Sequence, residues 1–278
     1  MTEQRDELTM LPEELLKFLG ALLPDENGYG RRSFDDGASA LNTVGEQVLD
    51  RGRPVQGYET IAAALAETSM TLEVSAWSGL DAEPTLEHAF WGSRLGLVSS
   101  RSRGAGPIVL EHHAGESLYE QVFDAAGLGP RPSAQGQTLV TVKPAFLTAL
   151  LPGAATDKRE AALAKLVDLL RAPAPELAAD LEAARVRFLT LETSLFCAEG
   201  LREHSLAWLD TPSGVIVPLQ QGGVFTRQQF ALTMMPSWLV WKHILDVLPN
   251  GEDVELWNEL AAATASERVG FGGAVANL

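Results

Sequence analysis

The sequence predicts an α+β protein, with an antiparallel sheet core flanked by helices and two quasi-symmetric halves. Three observations carry this. Helical apolar spacing gives way to strict alternation at Leu72. The alternating stretches that follow are short and separated by turn residues, with no helix between them, so they form a meander rather than a set of βαβ crossovers. The same order of helices, strands and a helix then recurs in the second half of the chain.

The first segment, Leu11 to Leu23, places Leu15, Leu16, Leu19, Leu22 and Leu23 on one helical face. Glu13 and Glu14 sit in its first turn, favourable to the positive end of the helix dipole, and Pro24 stops it. The stretch from Asn27 to Ser33 reads as a loop. A second helix is expected from Asp36 to Arg51, with Leu41, Val44, Val48 and Leu49 inward, Gly52 as its left-handed cap and Pro54 blocking continuation. A short third helix covers Tyr58 to Ala66. From Leu72 to Trp77 apolar and polar residues alternate. Leu86 to Leu97 reads as one strand or two, and Ile108 to His113 as another. Glu116 to Leu128 returns to helical spacing, with Leu118, Val122, Phe123 and Leu128 apolar.

Between Gly129 and Gln137 the composition shifts to Pro, Gly, Ser and Gln. This marks the division expected here: an N-terminal half over 1–128, a hinge over 129–137 and a C-terminal half over 138–278. Helices are expected at Lys143–Leu151, Asp157–Arg171 and Pro175–Gly200. Strands follow at Leu206–Leu209, Val215–Gln220 and Gln229–Met234, then a helix at Ser237–Leu248. The helices that begin at Ser117 and Ser237 occupy matching places, each directly after the last strand of a meander. A last amphipathic helix is expected from Glu252 to Ala265, before a Gly-rich tail.

Composition narrows the function classes. The formal charge is −16 and hydrophobic residues make up 46% of the chain. That apolar content supports a folded core, with about 73% of the surface buried on folding for a chain of this mass. Duplex nucleic acid and anionic membranes are poor partners, because each needs clustered cations. The densest basic group, Arg94, Arg101 and Arg103, holds only three. The acidic first residues are unlike a signal peptide. No run of 18 apolar residues exists, so membrane insertion is not expected and the expected location is cytoplasmic. Cys197 is the single cysteine, which excludes an internal disulfide and a multi-cysteine zinc site.

Catalytic motifs are absent. The chain has no phosphate loop, no G-x-S-x-G elbow and no H-E-x-x-H, and Gly104-x-Gly106 lies between strands. His112 and His113 are adjacent on a strand and point to opposite faces, so they cannot easily share a metal. They read as ordinary strand histidines. The alternative is a polar site on the N-terminal meander, built from His88, Glu111 and His112. Cys197, between apolar neighbours on an expected helix, reads as a buried inert thiol. A small-molecule-binding regulatory module is a third possibility. Against this thin chemistry stands a surplus of large apolar residues. Trp77 falls on the polar phase of its strand, and Phe90 and Trp91 are neighbours. The helix from Trp238 to Leu248 is apolar nearly all round, so it is buried or makes an interface.

The layout resembles a known family. Helix, long gap, a helix ending Leu49-Asp50-Arg51-Gly52, a short helix and a meander opening Leu72-Glu73-Val74 are similar to the N-terminal half of EspG-type chaperones of type VII secretion. Leu209-Asp210-Thr211-Pro212-Ser213-Gly214-Val215-Ile216-Val217 is similar to their strand–turn–strand segment, with Val215 where an Arg is common. Ala231 to Pro236, followed by a helix ending Leu245-Asp246-Val247-Leu248-Pro249, resembles their terminal strand and helix. The resemblance spans about residues 10 to 250. It implies an antiparallel sheet flanked by helical bundles in two quasi-symmetric halves. It also implies a cytosolic, non-catalytic protein that needs no cofactor and holds the helical tip of a PE–PPE-like or other helical secretion substrate.

The expected grip is the Leu80–Trp91 region together with the C-terminal helices, with Trp91, Phe225 and Trp257 as anchors. Alternation forces one ring of Phe90 and Trp91 away from a one-sided core. Phe225 lies in a Gly-containing loop, and Trp257 sits beside Glu255, Asn258 and Glu259.

Overall fold

The computed structural model describes residues 7–10, 49–50, 53–54, 58–81, 83–102, 108–131, 137–151, 154–197, 200–221 and 228–249. The described part of the N-terminal half begins with strand β1 (Glu7–Met10) and a two-stranded hairpin, β2 (Leu49–Asp50) and β3 (Arg53–Pro54). Helix α1 (Tyr58–Ala66) leads into the meander β4 (Met70–Ser78), β5 (Leu86–Ser93), β6 (Gly96–Ser102) and β7 (Ile108–His113). One 3-10 turn, Gly115–Ser117, then opens helix α2 (Leu118–Ala126). The second half repeats the plan. Strand β8 (Gln137–Val142) is followed by α3 (Pro144–Leu150), α4 (Thr156–Leu170) and α5 (Pro175–Glu182). The meander β9 (Arg187–Cys197), β10 (Gly200–Thr211), β11 (Gly214–Gln221) and β12 (Gln229–Met235) closes with α6 (Ser237–Val247).

Ten strands form one sheet in the order β1-β7-β6-β5-β4-β9-β10-β11-β12-β8. Every described pairing in it is antiparallel. The order reads alike from either end. Each half contributes an outer strand that precedes its helices and then a four-stranded meander that runs outward from the centre to pair with it. The first meander strands, β4 and β9, meet at the centre from Met70↔Leu195 to Ser78↔Arg187. The α+β class and the quasi-symmetric halves expected from the sequence are therefore the fold.

Two cores hold the layers together. One face of the sheet carries Leu72, Val74 and Phe90 from one half and Leu191, Trp208, Val215 and Val217 from the other, beneath α2 and α6. On the opposite face, Phe188, Leu209, Ile216 and Leu232 pack against Leu150, Leu166, Leu170, Leu177 and Leu181 of α3, α4 and α5. Helix α1 packs on β5, β6 and β7, and its fully buried Ile61 and Leu65 lie outside the core shared by α2 and α6. Each half thus has helices on both sheet faces.

Several expected elements differ. Leu49–Asp50 is a strand, paired with Arg53–Pro54, rather than the end of a helix. A Gly after Arg51 suits a two-residue hairpin connection as well as a helix cap. The segment from Leu86 to Leu97 contains two strands with a turn after Ser93. Strand β8 occupies Gln137–Val142, between the expected hinge and the first expected helix, where no element was expected. The long helix expected at Pro175–Gly200 ends at Glu182, and β9 follows. There Ala184 takes a positive φ of 54°, and Arg185 N–H donates to Asp180 O at 2.9 Å, a left-handed helix stop. The Ala- and Leu-rich run hides that stop. Strand β9 does alternate from Leu189 to Leu195, with Leu189, Leu191 and Leu195 buried and Glu192 exposed, but Val186 and Phe188 carry the apolar run into it from the helix with no turn residue between. The helices expected at Leu11–Leu23 and Glu252–Ala265, and most of that at Asp36–Arg51, lie outside the described residues.

Candidate partner-binding surface

The aromatic anchors expected from sequence meet the structure unevenly. In β5, alternation does send Phe90 and Trp91 to opposite faces, since Phe90 pairs with Leu72 and Trp91 with Thr71. Both faces are covered, however, and the rings are 1% and 6% exposed. Trp91 is a core residue here, contrary to its expected outward position. The assumption of a one-sided sheet fails because helices flank the meander on both sides. Trp77 is half-buried and packs against the core beneath α3, α4 and α5. Phe225 and Trp257 lie outside the described residues.

The alternative polar site does not assemble. On β5, β6 and β7 the registers Phe90↔Ser99 and Ser99↔Glu111 put His88 and Glu111 on one face and His112 on the other. His112 bonds through Nε2 to Leu95 O at 3.0 Å, tying down the β5–β6 turn. A different trio does come together. Ser99 Oγ lies 2.9 Å from His113 Nε2, and Glu111 Oε2 lies 3.9 Å from that same nitrogen. A nucleophile relay needs the acid on one ring nitrogen and the hydroxyl on the other. Here both meet one nitrogen, so the geometry is that of a structural contact. Among the described residues no group of three His, Cys, Asp or Glu could hold a metal ion. Cys197 ends strand β9 rather than lying on a helix.

Among the described residues Trp238 of α6 is the most exposed large apolar side chain, and Leu245 of the same helix is exposed too, as are Leu95, Leu201 and Tyr119 elsewhere. Val240 and Ile244 point into the core, at 2% and 0% exposure. Trp238 is 66% exposed and Leu245 44%. Seven residues apart, they lie on one outward stripe of the helix. The sequence carried a signal for this, because a helix apolar nearly all round has more apolar surface than one buried face can absorb. Which residues stay outside depends on the packing.

Helix α6 lies antiparallel to α2. Tyr119, near the start of α2, donates its hydroxyl to Pro249 O just past the end of α6, at 2.7 Å. At the other end Ser237 Oγ donates to Gly129 O at 3.0 Å. Between them Phe123 and Trp241 meet edge to face with centroids 4.3 Å apart, a favoured aromatic geometry. The chain after α2 is fastened beneath this pair. Arg131 binds Asp210 of β10 with two charge-assisted bonds of 2.8 Å, and its N–H donates to Ser237 Oγ at 3.1 Å. Arg187 also approaches Asp210, at 3.9 Å, and donates to Ala126 O at 2.6 Å. The α2–α6 layer is therefore a rigid platform.

Two further buried charges brace the opposite face. Arg159 of α4, 3% exposed, donates to Asp81 O at 2.8 Å and Gly79 O at 3.0 Å, with its guanidinium 4.6 Å above the Phe188 ring. Burial lowers its pKa, and Asp81 partly opposes this. Asp180 of α5 clamps the β10–β11 turn by accepting from Ser213 N–H at 2.8 Å, and Arg185 lies 2.6 Å away. Burial alone would raise the Asp180 pKa. The bonds from Ser213, the charge of Arg185 and the bond from Thr211 outweigh it, and the net shift is downward.

Among solved structures, the chain is similar to the type VII secretion system chaperone EspG5 of Mycobacterium tuberculosis in complex with a PE25-PPE41 dimer. The two are 16% identical with a TM-score of 0.48, over 88% of this chain and 98% of that one. No protein-family model matches the sequence, and no curated protein does.

Proposed function

We propose that this chain is a non-catalytic, cytosolic chaperone that holds a helical segment of a PE–PPE-like type VII secretion substrate. The observation that carries the reading is the fold that the sequence resemblance implied: two quasi-symmetric halves sharing one antiparallel sheet, centred on β4 and β9. The exposed Trp238 and Leu245 supply what a binding protein needs, apolar side chains held out on a rigid element. The polar residues do not form the expected site, because His88 and His112 lie on opposite faces, and Ser99 and Glu111 meet His113 through the same nitrogen. We take 129–137 as the segment dividing the halves, and Phe225 and Trp257 as further partner contacts.

Co-expression with the PE–PPE-like proteins encoded nearby, followed by affinity purification and gel filtration, tests the reading. The expected result is a stoichiometric complex in which the substrate stays soluble only when this chain is present. Substrates that are equally soluble without it, or that never co-purify, overturn it.

A further inference from the structure

Helices α2 and α6 occupy equivalent places in the two halves, yet their exposed residues differ: α2 carries acidic charge beside Tyr119, and α6 carries two large apolar side chains beside a Lys242–Asp246 pair. Helix α6 presents Trp238 and Leu245. Helix α2 presents Glu120 and Asp124, both exposed, with exposed Glu116 just before it. Because the helices are antiparallel and joined through Tyr119–Pro249, Phe123–Trp241 and Gly129–Ser237, the carboxylates run alongside the apolar stripe. Within the stripe the charges of α6 are satisfied locally, since Lys242 Nζ donates to Asp246 Oδ2 at 3.3 Å. The net field beside the stripe is therefore negative.

We infer that this layer is a docking surface for a basic amphipathic helix, whose apolar stripe lies along Trp238 and Leu245 and whose Lys or Arg residues face Glu116, Glu120 and Asp124. This deepens the chaperone reading by naming the surface and the chemistry of the helix, and it rests on that reading for the partner's being helical. Residues seven apart make a ridge of the kind that packs into the groove of another helix. The flanking carboxylates choose between partners, because a like-charged helix is repelled along its whole length. The sulfur-free, rigid indole of Trp238 gives a large contact at small entropic cost.

The test uses the full chain and two labelled synthetic peptides, followed by fluorescence anisotropy. Each peptide is about 18 residues long, enough to form a helix on contact, with Leu at helical spacing. One carries Lys on its flanks and the other carries Glu. The Lys peptide should bind and the Glu peptide should not. Trp238→Ala and Leu245→Ala should each weaken Lys-peptide binding, Trp238→Ala by about tenfold or more, with the melting temperature unchanged. Glu120→Lys combined with Asp124→Lys should weaken it similarly and flatten its salt dependence. Equal affinity of wild type and Trp238→Ala overturns the inference, because attraction to the overall charge would then be the whole effect. A Trp238-dependent dimer of this chain, or Trp238-dependent binding to phosphatidylcholine vesicles with no peptide binding, also overturns it. The chaperone reading fails separately. A co-purified substrate held equally by wild type and Trp238→Ala removes this surface and leaves the function. Absence of any substrate complex with wild type removes the function and leaves the peptide result.

Discussion

The two halves of this molecule solve one folding problem with one plan and then part company in their details. Helices α2 and α6 each follow the last strand of a meander, and each buries a stripe in the same core: Leu118, Val122 and Ala126 from one, Val240 and Ile244 from the other. Outward, α2 exposes Glu120 and Asp124 beside Tyr119, whereas α6 exposes Trp238 and Leu245 beside the Lys242–Asp246 pair. The turns between equivalent strands differ too. The β5–β6 turn is tied by its own Ser93, which accepts from Leu95 N–H at 3.1 Å, and by His112. The β10–β11 turn is tied by its own Thr211, which donates to Gly214 O at 2.9 Å and accepts from Gly214 N–H at 3.2 Å, and in addition by Asp180 of α5. Strands β5 and β6 pair from Glu87↔Ser102 to Ser93↔Gly96, whereas β10 and β11 pair only from Leu209↔Ile216 to Thr211↔Gly214. Inward positions are set by a core that both halves must fill. Positions free of that demand differ, and those carry the functional information.

The largest expected effect concerns the fastening present beneath α6. Asp210→Ala removes the carboxylate from Arg131 and Arg187 and should cost about 3–5 kcal/mol, as expected for breaking a buried pair from one side. Urea unfolding gives the value, and a cost under about 1 kcal/mol would show that the cluster is not what seats α6. Ile244→Ala should cost about 2–5 kcal/mol, because Ile244 is fully buried on the inner face of α6. Gly96→Ala separates the two turns. Gly96 has φ 129°, and a Cβ there would stand 2.6 Å from His112 Nε2 and 2.7 Å from His113 O. A cost of about 1–3 kcal/mol is expected. Gly214→Ala, where a Cβ meets only the flexible end of Met234 at 3.2 Å, should cost less than Gly96→Ala. Equal costs would erase the distinction between the turns.

Asp180 gives the C-terminal turn a pH dependence. Its folded-state pKa lies below the ordinary carboxylate value of 3.8, so its contribution to stability is present in full above that value and is lost as pH falls through the folded pKa. Asp180→Asn should therefore destabilise the chain at neutral pH by about 1–3 kcal/mol, the cost of weakening bonds to a buried charged acceptor. The gap to wild type should narrow as the medium becomes acidic enough to protonate Asp180. Denaturant midpoints measured from neutral pH downward check this, and a gap that stays constant would place the effect elsewhere. The smallest effect sharpens the comparison most. Trp238→Ala should change stability by no more than about 0.5 kcal/mol, since its ring is mostly in water. The contrast with Ile244→Ala, six residues away on the same helix, divides the packing role of α6 from its binding role.

The sequence alone determined the fold class, the antiparallel meanders, the repeat of order in the two halves and the helices at Tyr58–Ala66, Thr156–Leu170 and Ser237–Val247. These follow from local periodicity, which is a property of neighbouring residues. Only the tertiary structure decided that β4 and β9 join the halves into one sheet, that β8 pairs at its edge, and that the chain turns from helix to strand after Glu182. Strand β9 alternates from Leu189 to Leu195, but it follows its Ala-rich neighbour with no Gly or Pro between Pro175 and Leu189, so the boundary was hidden. The binding surface divided the same way. The excess of apolar residues on the last described helix was legible, because composition on a helix wheel is local. That Trp91 goes inward while Trp238 goes outward was not. Exposure depends on which other element lies across a face, and α1 covers the face of β5 from which Trp91 was expected to project.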